Sequence, residues 1–142
     1  MGYSIDQLSI GQKASFAKTI TETDICLFAG VSGDINPAHL NEQYAEQTFF
    51  KGRIAHGMLS ASLISAVLGV QLPGTGTIYL GQEVHFLAPV RAGDTITAMV
   101  EVISLDPQKN TAVLHTTCVN QNGVCVVDGQ ARVKPPKAAR TA

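Results

Sequence analysis

The 142-residue chain is 45% apolar and 15% charged, with a formal net charge of −1, which suits one well-buried domain and argues against two. No basic run precedes the last few residues, so the footprint of a nucleic-acid binder is missing; the longest apolar stretch, Met58 to Leu72, is too short and too interrupted to span a bilayer, and the N-terminus lacks the halves of a secretory signal. Cys26, Cys118 and Cys125 form no CxxC pair and cannot all pair with one another, which predicts small packing residues in a reducing, cytoplasmic setting.

Gly11 to Ile20 alternates small or apolar residues with polar ones and predicts a first strand. Thr21-Glu22-Thr23-Asp24 is a helix start, a hydroxyl cap followed by acids, and the helix runs to Gly30. Asp34 and His39 then flank an Asn36-Pro37 step. Proline pushes its predecessor toward extended geometry and Gly33 permits unusual backbone angles, so the expectation is a stiff loop outside ordinary helix. Asn41 caps a short helix through Ala45. After His56, Gly57 to Gly69 carries apolar or small residues on nearly every face and predicts a helix buried all round.

The rest is strand territory. Thr77 to Leu87, Thr95 to Ile103, Thr111 to Val119 and Val124 to Val133 each alternate, with turn signals at Gly93-Asp94 and Asn122-Gly123. This order predicts an α+β fold, a curved antiparallel sheet wrapped around one long helix, over residues 1–134, with 135–142 as a loose tail.

Taken alone, Asp34 suits a turn after Gly33 as well as it suits chemistry. A fixed carboxylate beside a fixed imidazole can nevertheless manage a water molecule and its protons. Gly57 opens the buried helix, where unpaired amides favour an anion and glycine allows close approach. Ser65 lies two helical turns further on, and its hydroxyl needs a partner. His56, just before that helix, is read as pocket-shaping. His85 and His115 have no carboxylate at metal-ligand spacing, no metal pattern joins Asp34 to His39, and no Gly-x-Ser-x-Gly elbow is present.

Three segments carry a resemblance: Phe28-Ala29-Gly30-Val31-Ser32-Gly33-Asp34-Ile35-Asn36-Pro37-Ala38-His39, then Arg53-Ile54-Ala55-His56-Gly57-Met58, then Phe86-Leu87-Ala88-Pro89-Val90-Arg91-Ala92-Gly93-Asp94. In this order they resemble the MaoC-like (R)-specific enoyl-CoA hydratases of the hot-dog superfamily. The resemblance implies a single hot-dog domain that reversibly hydrates trans-2-enoyl-CoA to (R)-3-hydroxyacyl-CoA, with no metal or redox cofactor, acting in fatty-acid metabolism or polyhydroxyalkanoate precursor supply. It further implies Asp34 and His39 as the catalytic pair, Gly57 as donor to the thioester oxygen, Asn36 and Ser65 in support, Met58 and Leu68 as acyl-pocket walls, and a homodimer. Lys51, Arg53, Arg91 and Lys134 are the candidates for coenzyme A phosphates. Hot-dog domains also serve as thioesterases and acyl-CoA binding units, which stand as the alternatives.

Overall fold

The computed structural model describes residues 1–138. Five strands, β1 (Lys13–Thr19), β2 (Ile78–Phe86), β3 (Thr95–Asp106), β4 (Thr111–Val119) and β5 (Cys125–Lys134), form one antiparallel sheet in the order β1-β3-β4-β5-β2. Helices α1 (Glu22–Ser32), α2 (Pro37–Leu40) and α3 (Glu42–Glu46) connect β1 to the long helix α4 (Gly57–Val70). The sheet wraps around α4: Leu63, Ile64 and Val67 share the core with Val100, Leu114 and Val133. Burial of each such side chain contributes about 1.5–3 kcal/mol. This is the α+β, single hot-dog architecture expected from the sequence.

Two expectations need correction. Helix α4 is not buried all round, because Met58, Ser62, Ser65 and Gly69 fall at alternating four- and three-residue steps and form an exposed stripe on the side away from the sheet. Strand β2 does not bury one face either; it is an edge strand, hydrogen-bonded within the chain only to β5, and a register shift between Tyr79 and Gly81 breaks its alternation. Of the expected tail, Pro135 is buried and its carbonyl accepts a 2.9 Å hydrogen bond from Asn110 Nδ2. Residues 139–142 lie outside the described residues.

The Thr21 signal is realised as a reciprocal cap: Thr21 Oγ1 accepts from the Asp24 amide at 3.1 Å, and Asp24 Oδ2 accepts from the Thr21 amide at 2.9 Å. Lys18 Nζ, 2.7 Å from Asp24 Oδ2, is the main reason that this carboxyl is held below its usual range, with the Thr21 amide next. A carboxylate depressed on folding stabilises fully above its unfolded value of about 4, and the effect is lost as pH falls through the lower folded value. Asp24→Ala should therefore cost about 1 kcal/mol in urea melts at neutral pH. The gap to wild type should close toward acid pH; a constant gap would refute the assignment.

Cys118 is fully buried and its thiol donates to the Ser60 carbonyl at 3.5 Å. Burial, and secondly Cys125, push its pKa up to about 12. Cys26 is exposed. Brief treatment of the folded protein with an aromatic disulfide near pH 8 should label Cys26 and spare Cys118, as read by peptide mass. Equal labelling would show that the site around Cys118 opens freely.

Candidate active site

Local rules place the two polar side chains that lead the sequence reading. Gly33 ends α1 in the left-handed conformation (φ 79°), with its amide bonded to the Ala29 carbonyl at 2.9 Å. The turn that follows is braced from within: the Asp34 amide donates to Ser32 Oγ at 3.1 Å and the Asn36 amide to Asp34 Oδ1 at 3.2 Å. Asn36 Oδ1 then accepts from the Ala38 amide at 3.1 Å, making Asn36 the cap of α2 with Pro37 in first position. Here the expected loop is corrected, because proline at a helix start has no amide to waste and its φ is already helical. His39 therefore rides on a one-turn helix.

His39 is buried and its Nδ1 lies 2.8 Å from the Ile54 carbonyl. A carbonyl only accepts, so Nδ1 carries a proton, and in the neutral ring Nε2 presents a lone pair. That Nε2 sits 4.0 Å from Asp34 Oδ2, whose side chain is half exposed. His56 adds a third group. Its Nε2 faces the Asp34 carbonyl at 2.9 Å, and its ring stacks on His39 with centroids 3.9 Å apart and planes 28° apart. Asp34, His39 and His56 each offer one donor atom within 4.8 Å of the others, a grouping that could hold a cation as well as a water molecule. Sequence spacing hid it, since His56 arrives from a different segment.

These groups line a cavity of about 420 Å3, together with Gly57 and Met58 at the start of α4. Its remaining wall is chiefly apolar, including Phe50, Phe86, Leu87, Val126 and Val127. No side chain caps α4; the Leu59 amide donates to the His56 carbonyl at 3.0 Å, while the Gly57 and Met58 amides have no partner among the described residues. A Cβ on Gly57 would lie 2.7 Å from the Phe86 ring, so the glycine lets that aromatic close against the helix start. Ser60, one turn along, also lines the cavity, and its buried hydroxyl has no hydrogen-bond partner among the described residues.

Asp34, His39, Gly57 and Met58 thus come together, with Asn36 supporting the turn, whereas Ser65 and Leu68 do not join them. Ser65 is rotated about 80° from Gly57 around the helix, falls on the exposed stripe and does not line the cavity. Leu68 shares the face of Gly57 but lies about 16 Å along the axis, and it is sealed in the core at 1% exposure rather than lining the cavity.

Three of the four basic candidates are engaged elsewhere. Arg53 pairs with both Glu22 oxygens at 2.5 and 2.9 Å and with Glu42 at 3.2 Å, and Glu22 foremost raises its pKa. Arg91 donates to the Phe50 and Arg53 carbonyls, and Lys134 to the Lys109 carbonyl. Lys51 sits in the left-handed region at φ 59°. His85 and His115 pair locally with Glu83 and Asp128, at 3.1 and 2.7 Å. Among the described residues, no helix is long and apolar enough to cross a membrane.

The chain is similar to known proteins over most of its length. Residues 6–122 match the family model described as MaoC like domain. An (R)-specific enoyl-CoA hydratase of Rhodospirillum rubrum is 56% identical over 131 residues, covering 92% of this chain and 90% of the relative. The unliganded R-hydratase PhaJ1 of Pseudomonas aeruginosa superposes with a TM-score of 0.91 at 46% identity, over 99% of this chain and 92% of that one. An (R)-hydratase from Aeromonas caviae, described as involved in PHA biosynthesis, gives a TM-score of 0.88 at 47% identity, over 91% of this chain and 98% of that one. The family match spans most of the chain and the relatives cover nearly all of it, so the chain belongs to the MaoC-like domain family.

Proposed function

We propose that this protein is an (R)-specific enoyl-CoA hydratase, a hydro-lyase that reversibly adds water to trans-2-enoyl-CoA to give (R)-3-hydroxyacyl-CoA. The observation that carries this reading is the Asp34 Oδ2 to His39 Nε2 separation of 4.0 Å at an apolar cavity beside an uncapped helix start. Two acceptors at that distance suit one water molecule, which donates one hydrogen to each and turns its lone pairs toward C3 of the enoyl chain. As the C3–O bond forms, the water gives up a proton to the pair, electrons move to the thioester oxygen, and a proton reaches C2. The Gly57 amide, at the positive end of α4 and in the cavity wall, donates to that oxygen. Such a donor is typically worth about 3–4 kcal/mol, comparable with the acid-base contribution.

Met58 and the wall formed by Phe50, Phe86, Leu87, Val126 and Val127 hold the acyl chain, and coenzyme A enters as part of the substrate. A homodimer is part of the same reading. The free edge of β2 exposes Ile78 and Leu80, and the outer stripe of α4 adds Ser62 and Ser65; a second copy would pair the edge and cover both. Cysteines free of disulfides suit the cytoplasm. The (R) product suits polymer precursor supply, the setting in which the Aeromonas relative is described.

Incubation with crotonyl-CoA and with a longer enoyl-CoA, following enoyl absorbance and free thiol together, tests the reading. Loss of absorbance without thiol release is expected. Thiol release would favour a thioesterase, and no change with either substrate would favour an acyl-CoA binding domain.

A further inference from the structure

His56 is the least economical side chain at the site. It is 2% exposed and sits at the cap position of α4, yet its ring makes no capping bond. Its Nδ1 is buried without a hydrogen-bond partner among the described residues. An unpaired buried acceptor is destabilising, and phenylalanine would fill much the same volume without it. What phenylalanine lacks is the Nε2 proton, which faces the Asp34 carbonyl at 2.9 Å.

We propose that His56 is a positioning residue that fixes both members of the catalytic pair, an inference that rests on the hydration reading. One edge of its ring pins the backbone of Asp34, whose own side chain is half exposed and held by the Asn36 amide. One face of the ring is the plate on which His39 lies, at 3.9 Å between centroids, while Phe28 packs at 4.9 Å and 55°. His39 is thereby constrained twice, by the plate and by the bond from Nδ1 to the Ile54 carbonyl, and its Nε2 stays aimed at Asp34 Oδ2. Because His56 directly precedes Gly57, the same residue also ties the pair to the start of α4, where the thioester oxygen is to be held. Relative placement of carboxylate, imidazole and amide then depends on one ring.

Three variants separate its functions. His56→Phe keeps the plate and deletes the donor, His56→Gln keeps an amide donor near the Nε2 position and deletes the plate, and His56→Ala removes both. With crotonyl-CoA, alanine should lower kcat by about 100-fold, and the phenylalanine and glutamine variants by about 10-fold each, with KM within about 3-fold of wild type. Thermal melts run beside the kinetics; if the alanine variant does not fold, the other two decide. In 15N imidazole spectra, His39 should keep a protonated Nδ1 and bare Nε2 in wild type and lose that fixed tautomer without the plate. Wild-type kcat in both the phenylalanine and glutamine variants, or losses that track only the folded fraction, would overturn the proposal. If wild type does not hydrate crotonyl-CoA the functional reading fails first, and an unchanged His39 spectrum would then sink the positioning role independently.

Discussion

Asp34→Asn and His39→Gln should each lower the rate of crotonyl-CoA hydration by about 100- to 10,000-fold while leaving the fold intact. Asparagine keeps the shape of the carboxylate and glutamine keeps a polar atom near Nε2, so the turn and α2 survive; what is lost is the pair of acceptors 4.0 Å apart. Removing one leaves water with a single acceptor, so it is no longer held with its lone pairs toward C3. The double variant should be little worse than the poorer single one, because the two groups act on one molecule. Initial rates at saturating substrate, with melting curves as a control on folding, decide the matter. Near-normal turnover in both single variants would remove the pair from the chemistry.

Gly129→Ala should damage stability more than any surface change. Gly129 lies in β5 opposite Val84 of β2 and Thr116 of β4. A Cβ there would fall 1.8 Å from the Glu83 carbonyl oxygen and 3.2 Å from Val84 Cα. Both obstacles are backbone, so no rotamer change relieves them, and β2 would have to leave β5 locally. A loss of about 3 kcal/mol or more is expected, read as a lower urea midpoint or as insoluble protein. Gly81, with open space around its Cβ position, is the control and should tolerate alanine within about 1 kcal/mol. A soluble Gly129→Ala protein of wild-type midpoint would contradict the strand spacing.

Local signals proved readable and long-range ones did not. Thr21 with Asp24, Asn41, and Gly33 act on amides within four residues, so their effects could be read directly. The β4 span and the turn at Gly123 (φ 76°) likewise follow from nearby pattern. Asp34, His39 and Gly57 stood out from proline-stiffened and helix-start patterns before the resemblance gave them roles, and all three line one cavity. By contrast, Pro37 looked like a helix breaker because its role depends on the Asn36 side chain closing over the Ala38 amide. The position of Ser65 depends on which side of α4 faces the sheet, and the apolar alternation of β2 could not disclose that only one neighbour lies beside it. His56 stayed in the background because its partners, Asp34 and His39, are 22 and 17 positions away.

The strand order also sets a schedule for synthesis. Strands β3, β4 and β5 are successive neighbours and can pair as soon as they are made, but β1 must wait for β3, bridging 76 positions at the bond between Thr19 and Thr95. Helix α4 leaves the ribosome before every strand that buries it except β1. Its apolar side therefore stays largely uncovered until β2 to β5 have been made. Asp34, His39 and His56 are made first, with their mutual contacts, but Phe86, Leu87, Val126 and Val127, which complete the cavity around them, arrive only with the second half of the chain.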